Sequence, residues 1–466
     1  MGGDGKFPRV LLAGTASRVG KTLICAGLIL ALRRRGYKIQ PFKVGPDYID
    51  PGYHTRAAGV PCRNLDSFLM DEATVAEIFV KHAANADISI IEGVRGLYEG
   101  ISVDCDEGST AHISKILKTP TVLILDAKSI TKSAAAIVLG FKNLDPSIKI
   151  EGVILNNVFN EEHHRKLVRA VENYARTQVL GALPRGEALS VGERHLGLLT
   201  ALENAIDLGG VADFVEEHID IEKVVELAET APPLPLSSGA CSLRASSVCD
   251  EVRLAVAYDN AFNFYYQDSL DVLRGLGCRI IFFSPMRDEA LPKCDGLYIG
   301  GGYPEVFATE LSRNKSMLRS IKAAAEDEMP IYAECGGLIY LSRAFESMSG
   351  EDKTRYELVG FLPCDVRMQR RHIGYTVSQI ISKTILGDGG VLRGHEFHYT
   401  ECEVPGDVRF AYKMLRGSGI ASRAGENYDG IVQGATLAAY THLHFAACRK
   451  AAENFVESLK TFKKSH

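Results

Sequence analysis

The chain has no Cys-x-x-Cys pair, no apolar run near the roughly 18 residues that span a bilayer, and no surplus of positive charge. Without paired cysteines, its eleven cysteines do not form a zinc or disulfide framework and read as thiols of a reducing compartment. Residues 1–7 lack the apolar core of a signal peptide, so the expectation is a cytoplasmic protein without a membrane partner. A net charge of -5 leaves no basic surface of the kind that draws nucleic acid. What remains is 466 residues, 46% hydrophobic, enough for two or three ordinary domains with buried cores.

The stretch that organises the first half is Gly14-Thr15-Ala16-Ser17-Arg18-Val19-Gly20-Lys21-Thr22, set between a strand at 10–13 and a helix at 23–35. That order suits a polyphosphate. Backbone N–H groups and the positive end of the helix surround the anion, Lys21 neutralises it, and the Thr22 hydroxyl is placed for magnesium. The loop is a variant: Gly14 stands six residues before Gly20, and Thr15 takes the standard glycine place. A nucleoside triphosphate is the expected ligand, with ATP and Mg2+ as cofactors.

A strand at 37–44 delivers Gly45-Pro46-Asp47-Tyr48-Ile49-Asp50 to the sheet edge where ligands bind in open α/β folds. Asp47 and Asp50 there are candidates to hold magnesium or orient a reacting group. Another apolar strand, 88–91, ends at Glu92, the usual position of a further magnesium anchor. Strands at 121–125 and 152–155 continue the βα alternation of a doubly wound sheet. The second of these ends at Asn156-Asn157, and Asn157 is placed to offer its amide to a nucleobase.

Residues 230–250 are rich in proline and serine and read as a linker between a first domain, 1–229, and a second, 251–466. The second domain opens a new βα series, so the fold class is α/β with two doubly wound domains. Its strand at 330–333 runs into Glu334-Cys335-Gly336-Gly337, a sharp turn that exposes a nucleophile, with a helix terminus expected to lower the thiol pKa. Gly300-Gly301-Gly302 follows a neighbouring strand, and the N–H groups of Gly301 and Gly302 suit an oxyanion. The base is to be found among His442, His444, His395 and His398, between which spacing alone does not choose.

Taken together, the stretches 14–22, 45–51, 92–100, 300–305, 333–338, 394–399 and 440–445 resemble the cobyrinic acid a,c-diamide synthase family, including its nickel-sirohydrochlorin branch. The resemblance implies a dethiobiotin-synthetase-like P-loop domain joined to a class I glutamine amidotransferase domain. It implies that Cys335 hydrolyses L-glutamine with help from His442, and that Thr15, Ser17, Gly20, Lys21, Thr22 and Glu92 serve ATP and magnesium. Asp47 and Asp50 match positions tied to phosphorylation of a carboxylate. Tyr48, Tyr98, His395 and His398 match segments expected to shape the site for a cyclic tetrapyrrole polycarboxylate, with the interface between the domains as the alternative role of 394–399. A homodimer is a further family expectation. The chain departs from other class I amidotransferases in one respect: Leu443 and His444 stand where His-Pro-Glu would continue, leaving the orienting acid open. Rival readings are a cobyric-acid-synthase-like amidation of other ring carboxylates and a P-loop ATPase switch. The latter lacks its signature lysine, since position 16 is alanine.

Overall fold

The computed structural model describes residues 5–186, 193–194, 197–198, 200–203, 206–234, 251–349 and 352–466. The chain divides into two compact units, Met1–Ala240 and Cys241–His466. Of the expected linker, residues 235–250 lie outside the described residues.

The first unit runs β1 (Arg9–Gly14), α1 (Lys21–Arg34), β2 (Ile39–Val44), α2 (Asp50–Ala58), β3 (Arg63–Leu65), α3 (Glu72–Ala83) and β4 (Ile88–Glu92). It continues with α4 (Thr110–Ile116), β5 (Thr121–Asp126), α5 (Ser133–Leu144), β6 (Ile150–Val158), α6 (Glu161–Ala170) and β7 (Gln178–Pro184). A short pair, β8 (Glu193–Arg194) and β9 (Gly197–Leu198), and helices α7 (Leu208–His218) and α8 (Ile221–Glu229) complete it. Seven parallel strands form one sheet in the order β3-β2-β4-β1-β5-β6-β7. The centre strands are buried along their length because helices cover them, which is why they read as unbroken apolar runs. The apolar residues of α1, among them Ile24, Leu28, Ile29 and Leu32, join Val10 and Leu12 in one core. The strand order has one functional result: β2, β4 and β1 are neighbours, so Asp47, Glu92 and the Gly14 loop emerge side by side. Lys43 on β2 pairs in register with Glu92.

The second unit begins β10 (Val252–Ala257), β11 (Phe262–Phe264), α9 (Gln267–Gly275), β12 (Cys278–Phe283), β13 (Gly296–Ile299) and β14 (Gly301–Gly302). Then come α10 (Ala308–Arg313), α11 (Lys315–Glu326), β15 (Ile331–Glu334), α12 (Gly336–Leu341), β16 (Ala344–Ser349) and β17 (Asp352–Glu357). The last part holds β18 (Asp365–Ile380), β19 (Val391–Glu403), β20 (Phe410–Arg416), β21 (Ala421–Arg423), β22 (Glu426–Gln433), β23 (Thr436–Ala439), β24 (His442–Leu443) and α13 (Arg449–Ser465). Strands β12, β10, β13, β15 and β23 make a parallel half. The sheet extends past β23 through β22, β20 and β18 in antiparallel pairs, an extension absent from the sequence reading. Its long strands β18 and β19 mix charged and apolar residues without clean alternation, which hid them. Among the described residues no helix is long and apolar enough to cross a membrane.

Candidate functional site

The phosphate loop is shaped by two glycines. A Cβ on Gly14 would meet the Ala16 carbonyl oxygen at 2.7 Å and Lys21 Nζ at 3.0 Å. Gly20 has φ 93°, a left-handed conformation that glycine tolerates, and a Cβ there would lie 2.5 Å from Asn156 Nδ2. That close approach is itself a brace: Asn156, at the end of β6, donates from Nδ2 to the Val19 carbonyl at 3.0 Å. Thr15 donates its N–H to Ile124 on β5 (3.0 Å), while Ser17 is exposed at the loop tip. Lys21 Nζ donates across the loop to the Ala16 carbonyl at 3.2 Å. Burial lowers the Lys21 pKa and the charge of Lys43 adds to this, with Glu92 and Asp50 opposing.

Behind the loop lies a buried charge cluster. Glu92 Oε1 accepts from the Thr22 hydroxyl at 3.0 Å and faces Lys43 Nζ at 3.0 Å, and Glu92 Oε2 pairs with His54 Nε2. Lys43 Nζ also pairs with Asp50 Oδ2 at 2.6 Å and donates to the Gly93 carbonyl at 3.2 Å. Lys43, His54 and Glu92 are all buried. Burial disfavours the Lys43 ammonium, but Asp50 and Glu92 outweigh it and hold the pKa well above the ordinary value. Burial likewise opposes a charged Glu92, and Lys43 and His54 overcome it, leaving Glu92 far below the usual carboxylate range. Asp50 is pushed up to about 8, first by burial and then by the charge of Asp47, against the pull of Lys43. Two carboxyls of one cluster are thus driven in opposite directions. Asp47 Oδ1 accepts the N–H groups of Ile49 (2.8 Å) and Asp50 (3.0 Å), so part of its role is to start α2.

Lys43 and His54 were missed by sequence reasoning, and Asn156 was noted only as the strand end beside Asn157. A lysine next to the last residue of an otherwise buried strand was the available signal for Lys43; nothing local marks His54. Tyr48 stays in the β2–α2 loop, half-buried. Tyr98 and Asn157 each have a partner within the first unit. Tyr98 sends its hydroxyl to the Phe141 carbonyl on α5 (2.5 Å), with its ring 5.5 Å from that of Phe141, so its polar end is committed to the scaffold. Asn157 has φ 61° and donates from Nδ2 to Asp126 Oδ1 at 2.9 Å, which ties its amide to β5.

In the second unit Cys335 sits between β15 and α12 with φ 46° and ψ -93°, a strained non-glycine geometry of the nucleophile-elbow type. Its N–H donates to the Ala439 carbonyl at 2.7 Å. The two glycines after it permit a close approach: a Cβ on Gly336 would lie 3.1 Å from Gly302 N, and one on Gly337 2.2 Å from the Ile299 carbonyl oxygen. The expected low thiol pKa is not found. Cys335 is buried, and burial followed by the charges of Glu305 and Glu334 pushes its thiol well above the ordinary value, against the pull of the Gly336 backbone N–H. Sγ is 3.7 Å from the Phe397 carbonyl oxygen. Gly301 and Gly302 are a two-residue strand paired with β11 rather than an open turn.

His442 lies beside the Gly301 strand. A Cβ on Gly301 would lie 2.5 Å from His442 Cε1 and 3.3 Å from Nε2, so the ring rests on the strand that packs against the elbow. Its other neighbours are His395, stacked at 4.8 Å and 10°, and Glu334, whose Oε2 is 3.6 Å from His442 Nδ1. The strand ends at Leu443, and His444 packs 4.5 Å from the Tyr266 ring. His395 bonds to the Tyr266 hydroxyl through Nε2 at 2.7 Å, and His398 stacks on Tyr440 at 3.7 Å with Nδ1 on the Thr400 carbonyl. Both are buried within the second unit.

The comparisons with known proteins agree with this pair of sites. Residues 10–198 match the CobQ/CobB/MinD/ParA nucleotide binding domain, and residues 253–450 match the CobB/CobQ-like glutamine amidotransferase domain. Cobyrinate a,c-diamide synthase of Methanosarcina acetivorans is 44% identical over 99% of this chain and 97% of its own. Proteins of that name from Dehalococcoides mccartyi (44%, 98% and 99%) and Methanothermobacter thermautotrophicus (45%, 97% and 100%) are similarly close. The chain therefore belongs to the cobyrinate a,c-diamide synthase family of glutamine-dependent amidating ligases.

Proposed function

We propose that this protein amidates the a and c acetate carboxylates of a cyclic tetrapyrrole, each carboxylate being activated by ATP as an acyl phosphate and attacked by ammonia from glutamine. One observation supports the reading above others: the chain holds both a phosphate loop whose Thr22 touches Glu92 and a strained Cys335 elbow packed on the strand beneath His442.

In the amidotransferase unit His442 takes the proton of Cys335 Sγ, and the thiolate adds to the glutamine carboxamide carbon. Ammonia leaves with the proton held by the imidazolium, and water splits the thioester to glutamate. The raised thiol pKa of the resting elbow means that the thiolate forms only with its base in place. In the ATP unit a substrate carboxylate oxygen attacks the γ-phosphorus and ADP leaves; ammonia then attacks the acyl carbon and phosphate leaves. The loop N–H groups and Lys21 hold the phosphates, and Lys43 offsets the negative charge gathered beside them. The hydroxyl of Thr22 and the carboxylates of Glu92 and Asp47 are hard oxygen donors that suit Mg2+. When bound, that ion would draw charge from the phosphoryl oxygens. Tyr48 belongs to the substrate side of this site, and a homodimer belongs to the same reading.

Cobyrinate is the first ring substrate to propose, because the relatives carry that name. Nickel-sirohydrochlorin carries the same acetates, and residues 92–100 resemble the version of this loop in methanogen homologues. Glutamine- and ammonium-driven turnover with each ring tests the scheme. Cys335→Ser should abolish the first and spare the second, and loss of both would contradict separate ammonia generation.

A further inference from the structure

Neither residue after His442 can serve as its orienting acid: Leu443 is apolar and His444 packs on Tyr266. We propose that Glu334, the residue before the nucleophile, supplies this function as a positioning residue, an inference that rests on the glutaminase reading of Cys335 and His442. Its carboxylate is buried at the end of β15. Oε1 accepts from the Tyr332 hydroxyl at 2.6 Å and from the Leu443 N–H at 2.9 Å, and Oε2 accepts from the Tyr298 hydroxyl at 2.8 Å. Because Leu443 follows His442, Glu334 holds the backbone that carries the base as well as facing its ring.

The 3.6 Å from Oε2 to His442 Nδ1 is about half an ångström longer than a hydrogen bond. Such contacts tighten when the reacting complex forms. The ring has little freedom to do anything else, with His395 stacked on one face and Gly301 at its Cε1–Nε2 edge. Nδ1 toward Glu334 and Nε2 toward the Gly301 strand select the tautomer in which Nε2 is the base. The proton from Sγ goes to Nε2 and leaves with ammonia; Glu334 takes none and steadies the imidazolium.

Full-length Glu334→Gln is the test, measured as glutamine-driven kcat/KM against pH beside ammonium-driven amidation. Glu334 and His395 are neighbours of His442, Tyr266 packs on His395 and His444, and Glu305 acts on Cys335. Asp429 is held by the N–H groups of Gly430, Tyr440 and Thr441. Burial pushes His395 and His444 down. The expected result is a loss of about 10²-fold with glutamine, an acid limb moved to lower pH by about one unit, and unchanged turnover with ammonium. Tyr298→Phe keeps the carboxylate and removes a competing donor, and should move the acid limb upward. Glutamine turnover within about twofold of wild type, or a loss with the acid limb unmoved, overturns the assignment. If Glu334→Gln does not fold, an unmoved limb in Tyr298→Phe overturns it alone. A wild-type chain without glutaminase activity would instead remove the reading on which the proposal rests.

Discussion

Removing the Lys43 ammonium would leave Glu92 and Asp50 facing one another in a buried site. Breaking a buried pair by deleting one partner costs about 3–5 kcal/mol, more than the pair contributes against an apolar substitute. Lys43→Met should therefore lower stability by that order and reduce amidation with glutamine and with ammonium alike. Thermal unfolding and the two assays check it, and normal ammonium-driven turnover would remove Lys43 from the phosphoryl site. Asp47 gives a different expectation, because one of its oxygens starts α2 through the N–H groups of Ile49 and Asp50. Asp47→Asn retains an oxygen acceptor for that turn, so nucleotide binding should persist while amidation falls by at least tenfold, about 1.4 kcal/mol of barrier. Near-normal turnover would leave Asp47 a capping role alone.

The loop between β1 and α1 depends on its neighbours as much as on its own residues. Gly20→Ala forces a side chain into a left-handed conformation against Asn156 Nδ2, 2.5 Å away. A strained position of this kind costs about 1–3 kcal/mol. ATP affinity, measured by calorimetry, should weaken while ammonia release from glutamine by the second unit stays unchanged. Equal affinity would mean that the loop shape does not depend on this turn. Legibility in the sequence follows the same division between local and non-local causes. The P-loop, Glu92 and the Cys335 elbow could be read because a strand end, a glycine and a helix start lie within a few residues of each. Lys43, His54 and the bond from Asn156 to Val19 could not, since β2, α2 and β6 meet the loop only after the sheet order has been set. Glu334 was visible beside Cys335, but its bonds to Tyr298, Tyr332 and Leu443 are made across strands. The reversed thiol shift has a similar origin: a short helix was legible, the burial of the elbow was not.

The second unit carries a pH liability. Burial pushes His444 down to about 4 from an ordinary 6.5, and His395 is shifted in the same direction. Between those two values the unfolded chain binds the proton and the folded one does not, so stability is full above about pH 6.5 and falls as pH drops toward 4. For His444 alone the loss is roughly 3 kcal/mol over that window. Urea unfolding of the whole chain at pH 7 and 4.5 should show it, and His444→Leu should flatten the slope; an unchanged slope would assign the acid sensitivity elsewhere. In the proposed reaction, glutamine nitrogen freed at Cys335 ends as amide on a tetrapyrrole activated in the ATP unit. Mass spectrometry of ring products from the full-length protein, given ATP, magnesium, cobyrinate and glutamine labelled at the amide nitrogen, follows that nitrogen. Two carboxylates should become amides, both labelled, with one ATP consumed for each. Unmodified rings with ATP still hydrolysed would contradict it and return the chain to the reading of a P-loop ATPase switch.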